Sequence, residues 1–300
     1  MRDALYRAVG RASVLLDPLR AVLATGHLRL RPGDVGPLGH DKTGLVVREA
    51  RGMRVLHQDA EVLYVEQDSF AHSFWRAQEL SLFHLHRHLL APPLLDFGAG
   101  DGSFASALFE HVSFGADNDP EALEVARQFG VYDRLIQVAG SLIPLPDGAA
   151  GAVFSNSVLE HVLDLPAVLR ELRRVLAPGG ALVFTVPIAA FTDQMATYFG
   201  RRVAERVNLE ASHRNLLDPD GWTTLLTAHG FRVEEIRRYQ PPRFTFWYRM
   251  FRLLGRRGLA RFWPRLPSRV WSRYGPRLVE SVRSSIAGAP GGANVFVVAR

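Results

Sequence analysis

From Leu94 onward, short apolar runs alternate with helical segments about 25 residues apart, and this alternation restricts the chain more than any other feature. "LLDFG" reads as a strand and "GSFASALFE" as the start of a helix. "HVSFGAD" is a second strand, followed by the helix "PEALEVARQF" with Pro120 at its first turn, where a missing N–H is harmless. "RLIQVAG" and "GAVFSNS" are the third and fourth strands. The helix "LPAVLRELRRVL", closed by "APGG", leads to a fifth, "ALVFTVP". After a variable stretch over 188–212 come the helix "PDGWTTLLTAHG" and a sixth strand, "FRVEEIRRY". The last strand, "ANVFVVAR", has no helix after it. Such a pattern predicts an α/β fold, with a parallel sheet covered by helices on both faces.

The flanks are less regular. Residues 1–24 read as a short amphipathic helix broken near Pro18, and 26–41, rich in glycine and proline, as loop. Two or three short strands are expected between Gly44 and Glu66. Helical spacing runs from Phe70 to Leu90 and must stop at Pro92. The organisation expected is an N-terminal extension (1–69), a core (70–240 and 293–300) and an inserted helical cap rich in arginine and aromatics (241–292).

Bulk composition removes several alternatives. The chain has no cysteine, which excludes disulfides and cysteine-ligated zinc. Its net charge of +6 is carried almost wholly by arginine, because Lys42 is the only lysine, so charge alone does not argue for a nucleic-acid partner. No run approaches the roughly 20 apolar residues that span a bilayer. The apolar patch "ASVLLDPLRAVLA" is broken by Asp17, Pro18 and Arg20, unlike a signal-peptide core. A cytoplasmic location is expected, with peripheral contact at the inner membrane face.

In an open parallel sheet, ligands bind beyond the carboxyl ends of the strands, so the turn after the first strand is the expected site. Gly98, Gly100 and Gly102 allow close approach of backbone to ligand. A dinucleotide fingerprint would have a third glycine where Ser103 stands. Asp117 could hold a pair of ribose hydroxyls in either ligand class, or merely end its strand. Asp96 before the loop and Asp101 within it would repel a diphosphate and attract a sulfonium or an amino group.

The stretch "LPDGAAGAVFSNSVLEHVLDLPAVLRELRRVLAPGGALVFTVP" resembles the fourth-to-fifth-strand region of class I S-adenosylmethionine-dependent methyltransferases of the type 11 kind. "LLDFGAGDGSFA" and "GADNDPEALEVAR" match that family's first and second motifs, so the resemblance covers about residues 92–240 and the last strand. It implies a Rossmann-like, seven-stranded doubly wound sheet with the last strand antiparallel, S-adenosylmethionine as cofactor, and methyl transfer to a small or lipid-like acceptor, on oxygen rather than carbon or nitrogen. A non-catalytic cofactor-binding protein is the alternative of a different class. Carried over residue by residue, Asp96, Gly98, Ala99 and Gly100 would line the methionine end, and Asp117 would hold the ribose with Asn118 beside the adenine. Ser155 and Asn156 would sit near the methionine and the reacting methyl. Many relatives place an acid after the third strand to accept the adenine amino group. Here that position offers only Ser141 and the backbone of Ser141 and Leu142.

Methyl transfer from a sulfonium needs positioning and, for a protonated acceptor, a base. His161, just after the fourth strand, and His213, in the segment expected to cover the acceptor, are the candidates; packing roles are the alternative for both. "SVLEH" looks like the "EVLEH" of ubiquinone-type O-methyltransferases, in which two glutamates and the histidine can bind a metal. Ser157 replaces the first glutamate, and no metal site is expected there or at His84, His86 and His88. Between Glu235 and Glu280 lie twelve arginines and no acid, and Arg249, Arg252 and Arg256 fall opposite a stripe of Phe246, Met250 and Leu253. A basic aromatic helix of this kind predicts a cap whose 244–277 face meets an anionic membrane surface. No nucleic acid is expected, since "SNSV" replaces the signature of amino-methylating DNA enzymes.

Overall fold

A computed structural model describes Arg7 and residues 35–40, 46–50, 53–56, 64–66, 70–254 and 288–300. The helix expected over 1–24 lies, apart from Arg7, outside these residues, as does the insertion from 255 to 287. No helix among the described residues is long and apolar enough to cross a membrane.

The first sheet has four antiparallel strands in sequential order: β1 (Val35–His40), β2 (Val46–Ala50), β3 (Met53–Leu56) and β4 (Tyr64–Glu66). β1 lies in the stretch read as loop. Its sequence, VGPLGH, is tolerated because β1 is an edge strand, where the missing proline N–H need not pair. Its register against β2 shifts between Val35 and Leu38, across Gly36 and Pro37.

The second sheet has seven strands: β5 (Leu94–Phe97), β6 (Val112–Asp117), β7 (Tyr132–Gln137), β8 (Ala150–Asn156), β9 (Leu176–Pro187), β10 (Val233–Tyr239) and β11 (Asn294–Ala299). Their spatial order is β10-β11-β9-β8-β5-β6-β7. β5 to β9 pair in parallel, and β11 runs antiparallel between β9 and β10. The sheet is therefore the Rossmann-like, doubly wound one, with its last strand antiparallel. From β5 the chain builds outward through β6 and β7, then returns to the other side of β5 for β8. Strand order thus reverses between β5 and β8, which opens a crevice at their carboxyl ends.

Around the sheets run α1 (Phe70–Leu85), a 3-10 turn (Arg87–Leu89), α2 (Ser103–Leu108), α3 (Pro120–Phe129), α4 (Leu165–Val175), α5 (Ala189–Phe199), α6 (Arg201–Ala211), α7 (Pro219–Ala228) and α8 (Pro242–Leu254). Asp119, Asp164 and Asp218 cap α3, α4 and α7, accepting from N–H groups of each first turn. α4 shows why helices form where they do. Leu165, Val168, Leu169, Leu172 and Val175 recur at helical spacing and are all buried against the sheet.

Alternation along the strands divides the core. Phe154 and Phe296 pack on one face with Phe83 of α1, while Val153, Val295 and Val297 pack on the other with Trp222 of α7. A third cluster joins α5, α6 and α8 through Phe191, Met195, Tyr198, Phe199, Val203 and Phe246. The stretch 188–212 is thus a helical pair divided at Gly200.

α8 corrects the expected facing of the insertion. Phe244, Phe246, Tyr248 and also Arg249 are buried, whereas Trp247 is 41% exposed. The Arg249 guanidinium lies 5.7 Å from the centre of the Phe199 ring, a cation–π contact that draws the arginine inward. Phe244 and Tyr248 meet Trp75 of α1 edge-on.

Candidate active site

β5 ends at Phe97, and the chain turns through Gly98, Gly100 and Gly102, all at positive φ. Gly98 cannot be replaced without strain, because an added Cβ would lie 2.2 Å from Val158 Cγ2. Gly98 N and Ala99 N both donate to Ala116 O, at 2.8 and 3.0 Å, which ties the loop to β6. Asp117, half-buried at the end of β6, accepts Gly100 N on one oxygen at 2.7 Å and Asp119 N on the other at 2.9 Å. It braces both the loop and the turn into α3, and each oxygen keeps a lone pair for a further donor. Asn118 beside it is exposed. Asp101 accepts Ser103 N at 3.0 Å and so starts α2.

Asp96 is buried below this loop and accepts the hydroxyl proton of Tyr132 at 2.6 Å. Burial lifts its pKa to about 7; the Tyr132 hydrogen bond opposes that rise and the nearby Asp117 charge adds to it. Tyr132 was not foreseen. It reaches Asp96 because two glycines make room: an added Cβ at Gly115 would lie 2.6 Å from its ring, and one at Gly102 3.1 Å.

At the end of β8 the side chains face inward. Ser155 Oγ donates to Phe97 O at 2.7 Å and pins β8 to β5. Asn156 donates to Glu79 at 3.1 Å and accepts from Thr185 at 2.6 Å. Glu79 of α1, fully buried, also accepts from Trp75 Nε1, Arg76, Ser157 Oγ and Tyr239 OH. Sequence reasoning missed this hub; its one trace is an acid inside the apolar run "WRAQELSLF". Ser141, half-buried, and Leu142, 64% exposed, follow β7, whose end is joined to β6 by Val138 N donating to Asp117 O at 2.8 Å.

His161 and His213 meet. Their ring centres are 5.4 Å apart, although the residues are far apart in the chain. The segment after α6 is stapled over Glu160: Arg214 N and Asn215 N donate to Glu160 O at 2.7 and 3.0 Å. His161 Nδ1 donates to Ser212 O at 3.3 Å and His213 Nδ1 to Asn208 Oδ1 at 3.1 Å. Because these oxygens only accept, both protons are on Nδ1 and both Nε2 atoms carry lone pairs. Burial lowers both pKa values. For His161 the Ser212 bond opposes the drop, while for His213 the neighbouring His161 carries it to about 4. Buried Glu160 lies alongside, its carboxyl raised to about 8 by desolvation, with Oε2 lacking a hydrogen-bond partner. His86 stays apart: it is buried, donates Nδ1 to Leu82 O at 2.7 Å and faces Glu235 through Nε2 at 3.3 Å.

The crevice thus presents a glycine turn open to a ligand's backbone contacts, a carboxylate with spare acceptor capacity and a second, buried carboxyl. These groups fit a ligand carrying vicinal hydroxyls and positive charge. Residues 95–184 match a family described as "Methyltransferase domain". A malonyl-[acyl-carrier protein] O-methyltransferase of Serratia marcescens is 34% identical over 115 residues, 38% of this chain and 45% of that protein. A demethylmenaquinone methyltransferase of Thermus thermophilus is 35% identical over 120 residues, 36% of this chain and 54% of that protein. The chain spans about half the length of these curated relatives. An S-adenosylmethionine-dependent methyltransferase of Thermotoga maritima, solved by crystallography, aligns with a TM-score of 0.49 and 18% identity, over 76% of this chain and 90% of that one. With the family's motifs on the switch-point strands β5 to β9, the chain carries a class I S-adenosylmethionine-dependent methyltransferase domain, and S-adenosylmethionine is its cofactor.

Proposed function

We propose that the chain transfers a methyl group from S-adenosylmethionine to an oxygen atom of a small or lipid-like acceptor. When bound, the cofactor supplies a methyl carbon on a positively charged sulfur, open to in-line displacement. Asp117 takes the ribose hydroxyls on its spare lone pairs. Asp96 and the backbone of Gly98, Ala99 and Gly100 hold the methionine end, while Asn118 and the backbone of Ser141 and Leu142 flank the adenine. Ser155 and Asn156 act by fixing the end of β8 rather than by reaching outward.

One observation carries the choice of oxygen: two neutral imidazoles, His161 and His213, stand with ring centres 5.4 Å apart, and each keeps an Nε2 lone pair. Either can take the proton of an acceptor hydroxyl, which oxygen requires and a ready nucleophile such as a neutral amine does not. Val158 joins this pair to the cofactor loop, since its side chain packs on Gly98 and its carbonyl accepts His161 N at 2.9 Å. The similarity to a malonyl-[acyl-carrier protein] O-methyltransferase agrees with an oxygen acceptor, and the similarity to a demethylmenaquinone methyltransferase with a lipid-like one.

The test is methyl transfer from labelled S-adenosylmethionine to a panel of carrier-linked acyl groups, phenols and quinols, and amines. Release of S-adenosylhomocysteine with label in an ester or ether is expected. Label on carbon or nitrogen alone would overturn the oxygen assignment. Cofactor binding without turnover on any acceptor would favour a binding protein.

A further inference from the structure

We infer that Glu160, His161 and His213 form a binding site for a divalent transition-metal ion, with two imidazole nitrogens and one carboxylate oxygen as ligands. One donor atom from each residue lies within 4.8 Å of the others. Donors about 2.1 Å from a shared ion sit roughly 3–3.5 Å apart. His161 Nε2 and Glu160 Oε1, at 3.6 Å, already stand near that separation. Closing the third side takes about an ångström of movement by His213, which follows the αL residue Ser212 at the end of α6.

Two further observations point to a ligand. Metal-binding histidines nearly always give their other ring N–H to a carbonyl or carboxylate, which fixes the tautomer and aims the free nitrogen. Both histidines here do so, through Ser212 O and Asn208 Oδ1. Asn208 is itself held by donating to Thr192 Oγ1 at 2.8 Å, so the support extends one residue further. Second, Glu160 is 1% exposed and its Oε2 has no hydrogen-bond partner. A buried carboxyl oxygen without a partner is costly, and a cation that takes the place of the carboxyl proton removes that cost. Two nitrogens and one oxygen suit zinc, cobalt, iron or nickel rather than magnesium or calcium, which prefer oxygen alone. The third ligand comes from the segment after α6, so the ion would also clasp that segment to β8. The proposal deepens the proposed function: a bound ion would occupy the lone pairs assigned above to proton removal and would itself lower the pKa of an acceptor hydroxyl, in place of a free imidazole base, while the binding itself does not rest on methyl transfer.

The experiment uses the full chain, stripped with chelator and titrated with Co2+ while its visible absorption is followed, then displaced by Zn2+. One ion per chain is expected, with at least tenfold weaker binding in His161→Ala, His213→Ala and Glu160→Gln. His111→Ala, at an exposed histidine far from the cluster in sequence and outside it, should bind as the parent does. Circular dichroism establishes that each variant is folded. Should His213→Ala not fold, Asn208→Ala, which frees the His213 ring without removing a ligand, should weaken binding several-fold. Absence of one-to-one binding in the folded parent would overturn the inference, as would undiminished binding in a folded His161→Ala/His213→Ala double variant. Neither methyl donor nor acceptor is present in the titration, so its failure would leave the methyltransferase reading intact.

Discussion

Asp117 is where the proposed cofactor contact and the fold's own needs coincide, and separating them gives a quantitative test. Its two oxygens already accept Gly100 N and Asp119 N at 2.7 and 2.9 Å. Two ribose hydroxyls would add two more charged hydrogen bonds, each worth about 1.5–3 kcal/mol. Removing the carboxylate therefore withdraws about 3–6 kcal/mol of binding, or roughly a 10²–10⁴-fold loss of affinity. Asp117→Ala also strips the two backbone braces, so some of its loss would come from a loosened loop. Asp117→Asn preserves the shape and one acceptor oxygen, and should lose about half that free energy. Calorimetry with S-adenosylmethionine and S-adenosylhomocysteine measures the affinities, and thermal unfolding without ligand measures the brace alone. The reasoning fails if Asp117→Asn unfolds at a lower temperature yet binds within about threefold of the parent. Asp117 would then be only a brace for the turn.

Other consequences can be checked as directly. With the Asp96 carboxyl raised to about 7, the free folded chain favours its neutral form, so this group's contribution to stability is fullest at low pH and is lost as pH rises toward 7. A cationic ligand favours the ionised form, so affinity should fall about tenfold per unit below pH 7, with proton release visible in buffers of different ionisation enthalpy; a flat profile from acid to neutral pH would refute this. Tyr132→Phe removes the bond that restrains Asp96 and should move that profile to higher pH. Gly98→Ala, at φ +84 with Val158 in the way, should destabilise by about 2 kcal/mol or more, and Val158→Ala added to it should recover part, as a double-mutant cycle by denaturant titration would show. Glu79→Gln leaves its buried donors short of acceptors and should cost about 3–5 kcal/mol in the same assay. The expected contact of 244–277 with an anionic membrane surface is tested by deleting 255–277, which spares the buried residues of α8. Salt-sensitive binding of the parent to anionic liposomes that the deletion abolishes would support it, and equal binding to neutral vesicles, or none, would remove its electrostatic basis.

Much of the sheet was legible because burial imposes a period on each strand and helix. α4 shows its apolar face at residues 165, 168, 169, 172 and 175, and Pro120 marks the start of α3. What escaped depends on a partner elsewhere. β1 looks like loop because Gly36 and Pro37 are poor strand residues, and only pairing with β2 makes it one. Arg249 looks solvated on a helical wheel, but the ring that buries it belongs to α5. Glu79 and Tyr132 are polar residues that local reasoning assigns to the surface; Glu79 is buried and Tyr132 half-buried because their donors or acceptor arrive from other strands.

The same dependence explains why the two halves of the candidate site read so differently. The glycine turn and Asp117 lie within a single strand–turn–strand unit, and their spacing is enough to suggest a ligand. His161 and His213 have no common spacing, and the chain near either one does not point to the other. What unites them is the backbone of Glu160, whose carbonyl receives Arg214 N and Asn215 N, while Asn215 also donates to Leu159 O and Val162 O at 2.9 and 2.8 Å. Asn215 therefore sets the distance between the histidines without touching either. Asn215→Ala removes the two side-chain bonds but keeps both backbone ones, so it should loosen the segment after α6 over the turn that follows β8, and so weaken metal binding and proton removal together while leaving cofactor affinity at the Asp117 side nearly unchanged. Losing all three at once would mean that the halves fold as one unit and that Val158, packed on Gly98, transmits the damage.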